Sequence, residues 1–217
     1  MRIKTRLQYI ASKLHYDSFP QRVLDLMKVF RIGIYPFYIL REGLSPAAAD
    51  VLNNAPDGFE IRVATPGDMP QLLGFPDRNE SLEKLQERLA RGDLCLVAWS
   101  NGKVVGFTWA CTDRFLNQLY RFEFREDEAY LYDAYTSTEC RGRGLAGYLR
   151  CRMYEVLAEK GRRNLFSISD RFNKPALRFK LKLGAQIVDS CFAVNFFRRW
   201  RIGTAARPEK LRRQNKK

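Results

Sequence analysis

Residues 140–150 read CRGRGLAGYLR. Gly142, Gly144 and Gly147 spell G-x-G-x-x-G, the pattern of a dinucleotide-binding turn. Arg141, Gly144 and Ala146 spell R-x-x-G-x-A, a pyrophosphate loop of another kind. Both patterns set phosphate at the start of a helix. There the first N–H groups lack intrahelical partners and the helix dipole is positive. Glycine lets the chain approach the phosphates, and Arg141 and Arg143 can add charge-assisted hydrogen bonds. A P-loop is excluded, because no G-K-[ST] occurs.

The elements around the loop choose between the two patterns. FEIRVAT at 59–65 alternates as a strand does, and PGDMPQLLGF and NESLEKLQERLARGD follow as helical segments. Two β-rich runs flank Asn101–Gly102, a strong hairpin signal. EAYLYDAYT at 128–136 is a further strand and leads into the loop. Beyond the loop, Leu145, Leu149, Met153 and Val156 recur on one helical face. NLFSIS at 164–169 is a strand. NKPALRFKLKLG at 173–184 is a helix with Asn173 as cap, Pro175 in its first turn and Gly184 at its stop. AQIVDSCFAVNFFRRW reads as two last strands. The order is β-α-α-β-β-β-α-β-α-β-β, a mixed α+β sheet. Asp170 stands near the place of a ribose-binding acid. Against that reading, a hairpin meander precedes the loop, and about 70 residues after it are too few for a doubly wound domain.

Ahead of the strand at 59–65, Ile3, Leu7, Ile10 and Leu14 form one helical stripe, and Ser18 and Pro20 open a second helix. IYPFYIL is expected to be extended or irregular, because Pro36 lacks an amide donor. Ser45–Pro46 starts a short helix to Asn53, and NNAPDG at 53–58 reads as a linker. Residues 1–57 are therefore expected to form a helical N-terminal extension, ahead of a domain at 58–200 and a basic tail at 201–217.

The net charge of +14 resides at the two ends. Residues 1–41 carry eight Lys/Arg and two Asp; residues 198–217 carry nine Lys/Arg and one Glu. The middle is close to neutral. Such ends suit an acidic partner, nucleic acid or an anionic surface. No apolar run reaches the roughly 18–20 residues of a membrane span. Five scattered cysteines without C-x-x-C, and a single histidine, argue against a metal site or a disulfide framework. A cytoplasmic protein is expected, with the membrane surface as a peripheral option. No base accompanies Cys140 in sequence, and His15 is far from it, which disfavours a covalent acyl-enzyme.

YLYDAYTSTECRGRGLAGYLRCRMYEVLAEKG followed by NLFSISDRFNKPALRFKLKLGA resembles the acyl-CoA-binding half of the GNAT superfamily of N-acetyltransferases. The resemblance spans about residues 59–197. It implies a mixed, mostly antiparallel sheet flanked by helices, with acetyl-CoA or another acyl-CoA as co-substrate and no metal. It also implies that the strand before the loop splays from its neighbour. The pantetheine arm would then pair with Ala134, Tyr135 and Thr136. Loop residues Arg141, Gly142, Arg143, Gly144, Leu145 and Ala146 would hold the pyrophosphate. Asn173 and Ala176 match coenzyme-lining positions on the next helix.

The acceptor amine must lose a proton, and a carboxylate on the strand before the loop is the usual base. Glu128 shares strand parity with Tyr130 and Tyr132 and serves if the even positions face the cleft. A local bulge would favour Asp133 instead. Lys180 stands where the family commonly has a tyrosine that protonates the departing thiolate. It can supply charge, it can point to solvent, or Tyr132, Tyr135 or water can replace it. The expected activity is transfer of an acetyl group to a primary amine by direct attack in a ternary complex. Two alternatives are transfer of a long acyl chain from an acyl carrier protein and a non-catalytic scaffold that binds RNA.

Overall fold

The computed structural model describes residues 32–75, 80–116, 121–196 and 200–203. The two helices expected within 1–31 lie outside them, as does the tail from 204 onward. An eight-stranded sheet organises the chain, in the order β10-β9-β1-β8-β7-β4-β3-β2. Its strands are β1 (Ile32–Glu42), β2 (Glu60–Val63), β3 (Leu94–Ser100), β4 (Lys103–Cys111), β7 (Glu128–Thr136), β8 (Asn164–Asp170), β9 (Gln186–Phe196) and β10 (Trp200–Gly203). A separate hairpin pairs β5 (Arg114–Leu116) with β6 (Arg121–Glu123). The helices are α1 (Pro46–Asn53), α2 (Met69–Leu72), α3 (Leu82–Ala90), α4 (Leu145–Glu159) and α5 (Lys174–Lys182). The α+β, mostly antiparallel reading holds: β7 with β8 is the one parallel pair among these strands.

Strand β1 bears out the extended reading of IYPFYIL and corrects the expectation of a helical extension at residues 32–42. IGIYPFYILRE is rich in β-branched and aromatic residues, and it runs antiparallel between β8 and β9. Pro36 is tolerated because the β8 ladder begins one residue later, at Phe37 and Asp170. The Pro36 carbonyl accepts from the Arg171 N–H just past the end of β8. β10 likewise continues to Gly203, past the expected domain limit at 200.

Local chemistry explains the other elements. Asn101 (φ 50°) and Gly102 (φ 74°) make a two-residue turn with both φ positive between β3 and β4, as their types predict. Ser45 caps α1, its Oγ accepting from the Ala48 N–H, with Pro46 in the first turn. The same Oγ donates to the Leu183 carbonyl at 2.8 Å and ties α1 to the end of α5. A Cβ on Gly184 would lie 2.5 Å from it.

Helix α4 buries Leu145, Leu149, Met153 and Leu157 against Ala98, Val105, Ala110, Leu131 and Leu165. Leu157 takes the buried place expected of Val156, which is half-buried. Each such leucine contributes about 1.5–3 kcal/mol by leaving water. On the other side of β3 and β4, Met69, Leu72, Phe75 and Leu85 pack on Val97, Phe107 and Trp109. No described helix is long and apolar enough to cross a membrane.

Candidate active site

β7 enters the site between two unlike neighbours. It pairs with β8 at Glu128–Asn164, Ala129–Leu165 and Tyr130–Phe166 and then parts from it. Its other edge stays on β4 as far as Gly106–Thr136. The strands thus open toward the end of β7, and the chain passes through a short turn at Thr138–Cys140 into the glycine loop.

Gly142 (φ 77°) and Gly144 (φ 79°) are both left-handed, and a Cβ at either would meet nothing within 4 Å. The conformation, not crowding, calls for glycine there. Gly144 is the N-cap of α4 and brings no side chain to the first-turn amides. Arg141 is exposed, donates to the Thr136 carbonyl and lies 5.7 Å from the Tyr135 ring centroid. Arg143 donates to the Asp57 carbonyl and lies 4.5 Å over Phe59. Leu145 is buried, whereas Ala146 is exposed beside the loop. Asp170, the candidate ribose acid, instead accepts from the Phe172 N–H and closes the turn into α5. Asn173 caps α5, its side-chain oxygen accepting from the Ala176 N–H at 3.1 Å.

Two β7 residues, Asp133 and Ala134, oppose the single Thr108 of β4 between the pairs Tyr132–Trp109 and Tyr135–Phe107. This is a β-bulge, and Asp133 sits in it at φ 44°. Its carboxylate accepts from Arg88 Nη1 of α3 at 2.6 Å. Arg88 also binds Glu80 and lies 5.3 Å from the Trp109 ring and 5.2 Å from that of Tyr132. The Tyr132 hydroxyl donates to Asp93 at 2.5 Å. Burial and then the Asp93 carboxylate push this hydroxyl well above the usual tyrosine range, so its proton is committed. Tyr135 packs against Phe75 and Phe107.

Glu128 lies at the other end of the strand. It is buried, and its Oε2 accepts from the Arg125 N–H at 3.0 Å. Eight residues separate it from Thr136, about 26 Å along an extended chain. Asp133 thus lies beyond the last β7–β8 pair, whereas Glu128 lies within the paired stretch.

Lys180 does not point to solvent. It is 9% exposed, and its Nζ donates to Ser167 Oγ and to the Ile168 carbonyl, both at 2.9 Å. Ile168 is two residues past the last β7–β8 pair. Burial pushes the Lys180 ammonium down to about 8; Glu42 opposes this and Arg150 adds to it. Glu42, at the end of β1, accepts from Arg150 Nε (2.8 Å) and Nη2 (2.7 Å), from Tyr154 (2.6 Å) and from Ser167. Sequence reasoning missed this cluster. Its members lie on four elements, with Glu42 more than a hundred residues from the others, and no local pattern marks them.

The five cysteines are buried free thiols, and burial pushes Cys151 up to about 12. No metal-holding cluster of His, Cys, Asp or Glu is found among the described residues. Residues 64–185 match the model of the acetyltransferase (GNAT) family, more than half of the chain. The chain belongs to the GNAT acetyltransferase family. Solved structures agree on its fold. A Drosophila protein is similar at 19% identity with a TM-score of 0.54, over 82% of this chain and 57% of that one. A tandem GNAT protein from the clavulanic acid biosynthesis pathway gives 16% and 0.57, over 72% and 51%. A GNAT-family protein from Novosphingobium aromaticivorans gives 15% and 0.53, over 74% and 63%. This GNAT chain thus spans less than two-thirds of each of those chains. No curated protein matches it.

Proposed function

We propose that this GNAT acetyltransferase moves an acetyl group from acetyl-CoA to a primary amine by direct attack within a ternary complex. The observation that carries the reading is the parting of β7 from β8 after Tyr130 and Phe166, just ahead of a helix start capped by glycine. An extended pantetheine arm fits the free edge of β7 at Ala134, Tyr135 and Thr136. Ser137 Oγ and Ser169 Oγ support this. They follow the end of β7 and lie near the end of β8, buried, with no hydrogen-bond partner among the described residues. Such atoms call for a polar partner, which a bound coenzyme or water can supply. The pyrophosphate then meets the amides that open α4, with Arg141 and Arg143 beside it. On α5, Asn173 and Ala176 are the positions assigned to line the coenzyme in this reading.

The chemistry needs one proton removed and one supplied. Asp133, turned out by the bulge and oriented by Arg88, accepts the amine proton directly or through water. The amine nitrogen bonds to the thioester carbonyl carbon, the carbon–sulfur bond breaks, and the thiolate leaves with the electron pair. Lys180 faces that anion from the mouth of the splay. At about 8 its ammonium is close to the ~8.5 of an ordinary thiol, so charge stabilisation and proton delivery are both accessible.

The test is release of free thiol from acetyl-CoA with a panel of primary amines, alongside calorimetry of coenzyme A. Amine-dependent release, lost in Lys180→Met while coenzyme affinity persists, is the expected result. Undiminished release in that variant would remove Lys180 from the mechanism.

A further inference from the structure

Strand β1 lies outside the stretch that matches the family model, yet it carries a carboxylate into the site. Glu42 is fully buried, with 0% of its side chain exposed, and Arg150 grips it as a fork. Ser167 Oγ donates to Glu42 and accepts from Lys180 Nζ, so one hydroxyl joins the carboxylate to the ammonium. The direct separation of Glu42 from Lys180 Nζ is 3.8 Å. Tyr154 donates to Glu42, and Arg150 Nη1 reaches Thr108 Oγ1 opposite the Asp133 bulge. Lys180 is thus faced by Glu42 from β1, Arg150 from α4, and Ser167 and the Ile168 carbonyl from β8, while Tyr154 from α4 acts on it through Glu42.

The charges do not cancel. Two cations share one carboxylate, and burying an excess charge is unfavourable unless something answers it. The excess sits where β7 and β8 part, where the departing thiolate would form. Without Glu42, Arg150 would be the charged group left acting on Lys180, and it disfavours the ammonium.

We infer that Glu42 is a positioning residue for acetyl transfer: through Ser167 it holds Lys180 Nζ at the opening between β7 and β8 and keeps it charged. This rests on the leaving-group role proposed for Lys180. Glu42 opposes both burial and Arg150 in setting the Lys180 ammonium. Removing its charge therefore moves Lys180 further down, and the charged form is lost at lower pH.

The test is a pH titration of the Lys180 Nζ signal by ¹⁵N-lysine NMR on the full chain. It is paired with the pH profile of thiol release from acetyl-CoA with tyramine, ethanolamine and spermidine. Lys180→Arg assigns the signal. Glu42→Gln should lower the titration midpoint and the alkaline limb of the profile together, by about one pH unit or more. Ser167→Ala, which removes a single hydroxyl, should move both the same way by less, and Glu42→Asp should restore part of the shift. Circular dichroism at each pH verifies folding; if Glu42→Gln does not fold, Ser167→Ala decides. An unmoved midpoint and limb, with only the rate lowered, would overturn the positioning role while leaving Lys180 in the mechanism. A wild-type rate and profile in Lys180→Met would overturn the leaving-group reading and this inference with it.

Discussion

Arg88 Nη1 lies 2.6 Å from the carboxylate of Asp133, at the point where β7 sets two residues against the single Thr108 of β4. The pair links α3 to the bulge, and the same guanidinium covers the faces of Trp109 and Tyr132. A carboxylate held this firmly has a defined direction, which a general base needs. Asp133→Asn should lower turnover at neutral pH by roughly 100-fold or more. Coenzyme affinity by calorimetry should stay at the wild-type value. Glu128→Gln, at the far end of the strand, should keep the wild-type rate; a loss there equal to that of Asp133→Asn would return the base to Glu128.

The loop makes a separate prediction about binding. Gly144→Glu puts a negative charge and a strained backbone where the pyrophosphate belongs. Affinity for coenzyme A should fall by at least roughly tenfold, the scale of one charge-assisted contact. The circular dichroism spectrum should remain native. Unchanged affinity would leave the loop as a turn and nothing more.

Two glycines separate strain from crowding. Gly184 (φ 87°) and Gly92 (φ 91°) share a left-handed backbone, but only at Gly184 would a Cβ strike Ser45. Gly92→Ala should cost about 1 kcal/mol. Gly184→Ala should cost roughly 2–3 kcal/mol, since it also dislodges the cap of α1. Urea denaturation of the two variants side by side checks this, and equal losses would show that the Ser45 contact yields freely.

Acid stability should report on Glu42. Burial alone would raise its carboxyl, but Arg150 and Lys180 outweigh that and hold it at about 2. The folded value lies below the unfolded ~4.3, so its contribution is complete above that pH and is lost as pH falls toward 2. The contribution is on the order of 3 kcal/mol. Glu42→Gln should flatten the acid limb of a stability–pH curve over this window. An unchanged limb would mean that the folded carboxyl is not depressed.

What could be read from the sequence was local. The Asn101–Gly102 turn, the Ser45 and Asn173 caps, and the arginines and glycines of 141–144 each signal themselves within a few residues. The placement of β1 did not, because a strand between β8 and β9 is defined by partners far along the chain. Arg150 and Glu42 are 108 positions apart, and Ser167 and Glu42 are 125 apart. Pro36 also left β1 open between extended and irregular, since nothing local says that the ladder starts one residue later. Parity along β7 pointed to Glu128, and the bulge at Asp133 breaks that parity. A bulge depends on the register with β4 and leaves little trace in EAYLYDAYT. Lys180 was legible as a departure from the family pattern, but its burial depends on α5 packing over β8 and β1.

The central claim is direct transfer of an acetyl group from acetyl-CoA to an amine at the opening between β7 and β8. The most direct measurement is to supply acetyl-CoA labelled with ¹³C at the thioester carbonyl, with a panel of primary amines. The amide product, free coenzyme A and intact protein mass are then followed by mass spectrometry. The account predicts labelled N-acetyl amine and free coenzyme A in equal amounts, with the protein mass unchanged throughout. Labelled acetyl accumulating on the protein before product forms would contradict direct attack. Product only from longer acyl donors, and none from acetyl-CoA, would contradict the acetyl assignment.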